Sequence, residues 1–146
     1  MKRFHLNMTV KDIDRSIAFY STLFDAKPTR READYAKWML DDPFINFSIS
    51  TRGDKAGIDH VGLEAGDEAE LAIIRERLVK ADAPIFDQEN TTCCYANSKK
   101  AWIADPDGVS WETFFTHDSS TSYGDGTDDV TAKLEKPATA SHACCG

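Results

Sequence analysis

Residues 3–10 read RFHLNMTV, and apolar and polar side chains alternate along this stretch. Such alternation is typical of a β-strand with one face on a hydrophobic core, because successive side chains of a strand point to opposite faces. The apolar face carries Phe4, Leu6, Met8 and Val10. His5 lies on the other face, so the first strand is predicted to hold an imidazole away from the core.

The same pattern returns 55 residues later, where residues 59–67 read DHVGLEAGD. In this alignment His60 corresponds to His5, and Asp67 corresponds to Asp12. Aspartate is a favoured helix N-cap, and apolar residues at helical spacing follow both aspartates. The chain therefore contains an internal repeat, and each copy begins with a strand and a helix.

Three short strand candidates follow each predicted helix. The clearest of the first copy are residues 35–40 and 44–50, and those of the second copy are residues 85–88, 100–104 and 109–116. The order βαβββ thus occurs twice. It predicts an α+β fold in which two paired modules form a cupped sheet, with helices on one side of the sheet and a concavity on the other.

The modules are predicted to span residues 1–53 and 57–116 and to form a single domain, residues 1–116. Residues 117–146 have a different composition, in which Ser, Thr, Gly and Asp dominate and no hydrophobic period remains. This composition predicts a flexible tail, which ends in Cys-Cys-Gly.

Composition and charge exclude several classes of partner. A chain of 146 residues is expected to form one domain of ordinary size. Its 17 basic and 25 acidic residues give a net charge of −8, which is unfavourable for binding nucleic acid or an anionic membrane. The sequence has neither a signal-peptide pattern nor an apolar run of about 18 residues. The four cysteines form two adjacent pairs rather than a spaced disulfide framework. We therefore expect a cytoplasmic protein with reduced thiols.

Three polar side chains are predicted to point into the cup. His5 and His60 lie opposite the apolar faces of their strands, and Glu112 lies on the inward face of the last strand. A buried carboxylate is costly unless a cation or a hydrogen-bond partner meets it. Two histidines and one carboxylate form the facial triad that binds non-haem Fe(II) with open positions for oxygen and substrate. Asn46 corresponds to Glu112 in the first module, which favours three protein ligands because a neutral amide binds iron weakly.

Cys93 and Cys94 are adjacent in sequence, which is poor geometry for a disulfide. Consecutive Cα atoms lie about 3.8 Å apart, whereas disulfides prefer about 4.4 to 6.8 Å. The pair is better suited to binding something between the two sulfurs, although cysteines are also common as small buried hydrophobic residues. The polar residues on either side favour a loop. Lys99 and Lys100 could stabilise a thiolate or an oxygenated intermediate, but the expectation is that they are solvated lysines at a strand edge.

The paired modules, the three inward residues and the DPDG turn at residues 105–108 resemble the vicinal oxygen chelate superfamily, which includes glyoxalases, bleomycin-resistance proteins and extradiol dioxygenases. The CCYA motif at residues 93–96, with the Cys-Cys-Gly tail, more narrowly resembles the organoarsenical carbon–arsenic lyases and their cadmium-inducible relatives. Carried over residue by residue, the resemblance implies three residues that bind the catalytic metal and two thiols that bind the substrate. The metal set is His5, His60 and Glu112, and the thiols that bind As(III) are Cys93 and Cys94.

The activity implied by this resemblance is Fe(II)-dependent cleavage of the carbon–arsenic bond, with O2 as co-substrate. Methylarsenite and aromatic arsenicals are the expected small-molecule substrates, inorganic arsenite is the product, and arsenical resistance is the physiological role. Two other interpretations stay open: a cadmium- or arsenic-binding resistance protein without turnover, and a glyoxalase-like or extradiol metalloenzyme with incidental cysteines. Also open are the native metal, a role for Cys144 and Cys145, and whether the cup closes within one chain or in a homodimer.

Overall fold

The computed structural model describes residues 1–81, 84–93, 95–124 and 134. Cys94, Cys144 and Cys145, for which the sequence suggests functions, lie outside the described residues. The greater part of the predicted tail lies outside them as well, so its flexibility stays a prediction.

Both modules have the predicted βαβββ order. The first consists of β1 (Arg3–Thr9), α1 (Ile13–Leu23), β2 (Arg30–Arg31), β3 (Tyr35–Asp41) and β4 (Phe44–Ser50). The second consists of β5 (Gly57–Glu64), α2 (Glu68–Lys80), β6 (Ile85–Cys93), β7 (Ala96–Ala104) and β8 (Ser110–Ser119). The repeat detected in the sequence is therefore a repeat of structure.

The strands form one eight-stranded sheet in the order β2-β3-β4-β1-β5-β8-β7-β6. Within each module the first and last strands are parallel neighbours, β1 with β4 and β5 with β8. The antiparallel pair β1–β5 joins the modules and sets His5 opposite Gly62 and Asn7 opposite His60. This arrangement confirms the predicted cupped sheet and brings the two histidine-bearing strands together at its centre.

The outer face of the first module carries its hydrophobic core. Ile17 of α1 packs there with Ala36 and Trp38 of β3 and with Phe47 and Ile49 of β4. On β1 and β4 the alternate residues point into the cup and are polar but buried. They include His5, Asn7, Asn46, Ser48 and Ser50. The concave face is thus buried without being apolar, which requires internal hydrogen-bond partners.

The predicted N-caps are confirmed. Asp12 accepts a hydrogen bond from the backbone N–H of Arg15 at 2.9 Å, and Asp67 accepts one from Glu70 at 2.7 Å. The side chain of Glu70 accepts from the N–H of Gly66, one residue before the position of an ordinary capping box. Neither helix of the described residues has the length and apolar character needed to span a bilayer.

The strands around the vicinal cysteines are longer than predicted. Cys93 is the last residue of β6 and pairs with Ala96, the first residue of β7. The expectation that Cys93 lies in a loop is therefore wrong. The Thr, Asn and Ser residues that suggested a loop instead continue the two strands of a hairpin, because their backbone groups pair with each other across it. β8 likewise extends to Ser119, three residues beyond the predicted end of the last strand.

Replacement of Gly62 by alanine tests the close approach of β5 and β8. A Cβ atom at Gly62 would overlap the backbone oxygen of Glu112, its parallel-strand partner. We expect Gly62→Ala to lower the free energy of unfolding by about 3 kcal/mol, measured by urea denaturation. In the control Gly66→Ala the new Cβ meets no atom nearer than 3.2 Å, so equal losses in both variants would contradict the close approach.

Candidate functional site

Three side chains from three strands meet at the centre of the cup. The Nε2 atoms of His5 and His60 lie 3.2 Å apart. The Oε2 atom of Glu112 lies 3.5 Å from the first nitrogen and 3.3 Å from the second. All three residues are buried, and their donor atoms are close enough to hold one metal ion. The structure thus brings together the three residues that the sequence singled out.

Hydrogen bonds on the far side of each ring set the tautomer of both imidazoles. His5 Nδ1 lies 3.0 Å from the backbone oxygen of Asn46, and His60 Nδ1 lies 2.6 Å from Asp59 Oδ2. A carbonyl and a carboxylate only accept, so Nδ1 carries the proton in each ring. In the neutral form of each ring the lone pair is therefore on Nε2, which faces the centre, as a metal-binding histidine requires.

A β-bulge brings Asp59 to His60. In the β1–β5 pairing Asn7 opposes His60 and Met8 opposes Ile58, so Asp59 is the additional residue of β5. In a regular strand Asp59 and His60 would point to opposite faces, and a bulge can redirect a side chain. Asn7 also donates to Asp59, at 3.3 Å. Asp59 was missed in the sequence because strict alternation hides such a contact.

Lys100 is the second residue that sequence analysis missed. Its ammonium donates to Glu112 Oε1 at 2.6 Å, and both side chains are almost completely buried. Lys99, on the other face of β7, forms an outer ion pair with Glu68 at 3.2 Å. The expectation of a solvated strand-edge residue is therefore wrong for Lys100. The ion pair occupies one carboxylate oxygen of Glu112 and leaves the other directed at the two imidazoles.

The charges of the site are strongly coupled. Burial lowers the pKa of His5 to about 4, a shift that the charge of Glu112 opposes only in part. Burial also acts to lower the pKa of His60, but hydrogen bonds with Asp59 and Glu112 raise it to about 9. Burial acts to raise the pKa of Glu112, yet Lys100 and His60 hold it well below its usual range. In the metal-free protein a proton on His60 consequently lies where a cation would bind.

The donor geometry fits a divalent metal ion. With bonds of about 2.1 Å, neighbouring donors lie about 3.0 Å apart on an octahedral face and about 3.4 Å apart on a tetrahedral one. The observed separations of 3.2, 3.3 and 3.5 Å fall near both values. Two imidazoles and one carboxylate on one side of an ion leave its other positions open. This donor set suits iron, manganese, zinc and related ions.

A cavity leads to this centre, and Cys93 lies in its wall. The cavity contains about 360 Å³ of empty space, some of it continuous with solvent. His5 and Glu112 line its floor together with Lys100 and the ring of Phe114. A thiol at the end of β6 therefore shares one cavity with two of the three donors. Cys94, the other predicted thiol ligand, lies outside the described residues.

Comparison with known proteins agrees with this geometry. The family model of the glyoxalase/bleomycin resistance protein/dioxygenase superfamily matches residues 2–113. The chain belongs to this superfamily. The superfamily resemblance inferred from the two modules and the three inward residues is thereby confirmed.

Two known proteins are similar to this chain over most of their length. A trivalent organoarsenical cleaving enzyme from Bacillus sp. (strain MD1) is 36% identical over an alignment of 148 positions, which spans 99% of this chain and 91% of the relative. The cadmium-induced protein CadI of Mycobacterium bovis is 32% identical over 127 residues, which cover 86% of this chain and 84% of the relative. The predicted resemblance to organoarsenical lyases and cadmium-inducible proteins is confirmed at the level of homology.

A solved structure of the superfamily supports the fold alone. The Mn(II)-bound glyoxalase from Novosphingobium aromaticivorans superimposes with a TM-score of 0.58 at 19% identity. The match covers 82% of this chain and 42% of the glyoxalase chain.

Replacement of Asp59 tests the orientation of His60. Asp59→Ala removes the acceptor of the His60 Nδ1 proton, so we expect the dissociation constant for Fe(II) to rise by about 10- to 100-fold in anaerobic titrations. Asp87→Ala removes an exposed carboxylate that pairs with Arg75 and serves as the control. An unchanged Fe(II) affinity of Asp59→Ala would show that the bulge does not support the centre.

Replacement of Lys100 tests the charge balance around Glu112. Lys100→Met leaves a buried carboxylate without its ammonium, so the metal-free protein is expected to lose about 3 kcal/mol of stability. Fe(II) bound by the three donors would supply a new cation beside Glu112. Its addition should therefore raise the melting temperature of the variant more than that of the parent. Lys99→Met, which removes the neighbouring outer lysine, should neither destabilise the metal-free protein to this extent nor increase the thermal shift on addition of Fe(II). Equal thermal shifts in Lys100→Met and the parent would contradict the role of Lys100 as the partner of Glu112.

Proposed function

We propose that the protein cleaves the carbon–arsenic bond of trivalent organoarsenicals, using Fe(II) and O2 and releasing inorganic arsenite. The observation that carries this proposal is the shared cavity of Cys93, His5 and Glu112. A soft thiol prefers a thiophilic metalloid such as arsenic, whereas imidazole and carboxylate donors prefer a metal ion such as Fe(II). One cavity that holds both kinds of donor therefore suits a metalloid substrate beside a catalytic metal. The likeness to an organoarsenical cleaving enzyme over nearly the whole chain supports the same assignment.

A monosubstituted trivalent arsenical matches the two adjacent thiols of Cys93 and Cys94 in number. Methylarsenite carries one carbon substituent and two exchangeable hydroxyl groups. Two thiolates can replace these hydroxyls while the carbon–arsenic bond stays intact, and Cys93 with the neighbouring Cys94 would supply them. Binding through sulfur would hold the arsenical in the cavity wall with its carbon substituent directed into the cavity.

The proposed reaction balances without a further reductant. One methylarsenite, CH3As(OH)2, and one O2 give one formaldehyde and one arsenite, As(OH)3. The carbon–arsenic bond breaks, the carbon loses four electrons, and the two oxygen atoms gain them. When bound, Fe(II) supplies the activation of O2 that amino-acid side chains cannot provide.

The protein residues hold the metal and control its surroundings. His5, His60 and Glu112 would bind the ion on one face, with each histidine oriented by its hydrogen bond at Nδ1. Lys100 keeps Glu112 ionised and adds positive charge to the cavity.

A second function is binding of cadmium or arsenic without turnover, and the likeness to a cadmium-induced protein favours it. Both functions use thiols and imidazoles, but only the first consumes oxygen. Oxygen uptake that requires both Fe(II) and methylarsenite would select the enzyme. Tight Cd(II) binding without such uptake would select the binding protein.

Replacement of the vicinal thiols tests the substrate site. In Cys93→Ser and Cys94→Ser we expect methylarsenite turnover to fall at least 100-fold, while the Fe(II) affinity stays within twofold of the parent. The readouts are arsenite release under air and anaerobic Fe(II) titration. The double variant Cys144→Ser/Cys145→Ser removes the other adjacent pair and should retain turnover. Parent-like turnover in Cys93→Ser would exclude Cys93 as a substrate ligand.

A further inference from the structure

The turn that follows the vicinal cysteines contains a tyrosine in an unusual backbone conformation. Tyr95 has a φ angle of 61°, in the left-handed region that residues with a Cβ atom rarely adopt. Such conformations persist only where the surroundings impose them, and they concentrate at functional sites. Glycine would adopt this conformation without strain. The contacts of the Tyr95 side chain are therefore expected to explain why tyrosine occupies this position.

Within the described part of the chain, the polar contacts of Tyr95 are with the first module and with the residue that follows β8. Its hydroxyl donates to Asp34 Oδ1 at 2.8 Å, and Asp34 also pairs with Arg52. Arg30 donates to the backbone oxygen of Tyr95 at 2.9 Å, and its guanidinium carbon lies 4.8 Å from the centre of the tyrosine ring. Ser120 donates to the same backbone oxygen at 2.8 Å. Both the backbone and the ring of Tyr95 are thus fixed.

Aromatic rings complete the surroundings. The rings of Tyr35 and Tyr123 each lie 5.6 Å from that of Tyr95, and Arg52 stacks on Tyr123 at 3.9 Å. The segment of Tyr123 also packs tightly on the hairpin, because a Cβ atom at Gly124 would overlap the backbone oxygen of Thr92. The β6–β7 hairpin and the β2–β3 edge belong to opposite ends of the sheet. The contacts of Tyr95 join these two ends across the cup.

The position of Tyr95 bears directly on the cavity. The residues on either side of the turn, Cys93 and Ala96, pair with each other and both line the cavity. Tyr35, on which the Tyr95 ring packs, lines it as well. Tyr95 thus lies in the short turn that joins two cavity-lining residues, one of which carries the thiol.

We propose that Tyr95, held by Asp34 and Arg30, is a positioning residue that fixes the Cys93 thiol in the cavity wall for capture of the trivalent arsenical. This inference rests on the proposed function. The three residues form what we call the Tyr95 anchor. The anchor takes its support from the first module, so the substrate thiols of the second module are placed by the opposite half of the fold.

The test measures methylarsenite affinity with the Fe(II)-loaded full chain under anaerobic conditions, where binding occurs without turnover. Tyr95→Phe and Asp34→Ala each remove the hydrogen bond between the two side chains and should weaken binding by about tenfold. Asp34→Asn keeps an acceptor oxygen and should restore most of the affinity. Under air, Tyr95→Phe should raise KM with little change in kcat, because the anchor acts on substrate capture and not on the metal.

Two further variants separate positioning from folding. Tyr95→Gly relieves the left-handed backbone but removes all side-chain contacts, and should weaken methylarsenite binding by about 50-fold while the Fe(II) dissociation constant stays within twofold. Tyr20→Phe, which removes a hydroxyl that contacts Met8 in the core, is the matched control and should bind methylarsenite like the parent.

Several outcomes would overturn the proposal. Methylarsenite affinity within twofold of the parent in both Tyr95→Gly and Asp34→Ala would show that the anchor does not position the thiol. Equal losses of arsenical and Fe(II) affinity would indicate a purely structural role. A parent that binds methylarsenite but never releases arsenite under air would refute the proposed enzyme, and the binding measurements would still decide the role of Tyr95.

Discussion

Two imidazole nitrogens and one carboxylate oxygen, all able to accept a positive charge, converge within 3.5 Å of one another in a buried site. Lone pairs and a negative charge at this distance repel unless a cation or a proton lies between them. Each of the two modules contributes one histidine from its first strand, and the second module adds Glu112 from its last. The duplicated sheet is thus the scaffold that makes this otherwise unfavourable convergence possible. The hydrogen bonds behind each donor hold it in place.

Metal binding and substrate binding depend on different residues around the three donors. Asp59 contacts His60 and Lys100 contacts Glu112, so the donors are preorganised before a metal binds. The cavity wall carries the Cys93 thiol at the end of a hairpin. The metal donors lie on the central strands of the sheet, whereas the thiol lies at a turn supported by contacts from the first module. Metal affinity and substrate affinity can consequently vary independently.

The parts of the fold and site that could be predicted from the sequence are those that follow from periodic patterns. The alternation of residues 3–10 and its return after 55 residues were sufficient to place His5 and His60 on the concave face, since both depend only on strand geometry. Asp59 was missed because a bulge breaks the alternation, and no side-chain pattern marks it. Lys100 was missed because its burial depends on the partner Glu112, which is distant in sequence. The hairpin around Cys93 was read as a loop because Thr, Asn and Ser favour turns, yet here their backbones pair across the hairpin, and Ser98 also lines the cavity.

Anomalous diffraction from crystals of the anaerobic Fe(II)- and methylarsenite-loaded protein, recorded at the iron and arsenic edges, tests the central claim most directly. The account predicts one iron peak bounded by His5, His60 and Glu112 and one arsenic peak bonded to the Cys93 sulfur in the same cavity. An iron peak away from these donors would contradict it. So would arsenic bound only at Cys144 and Cys145.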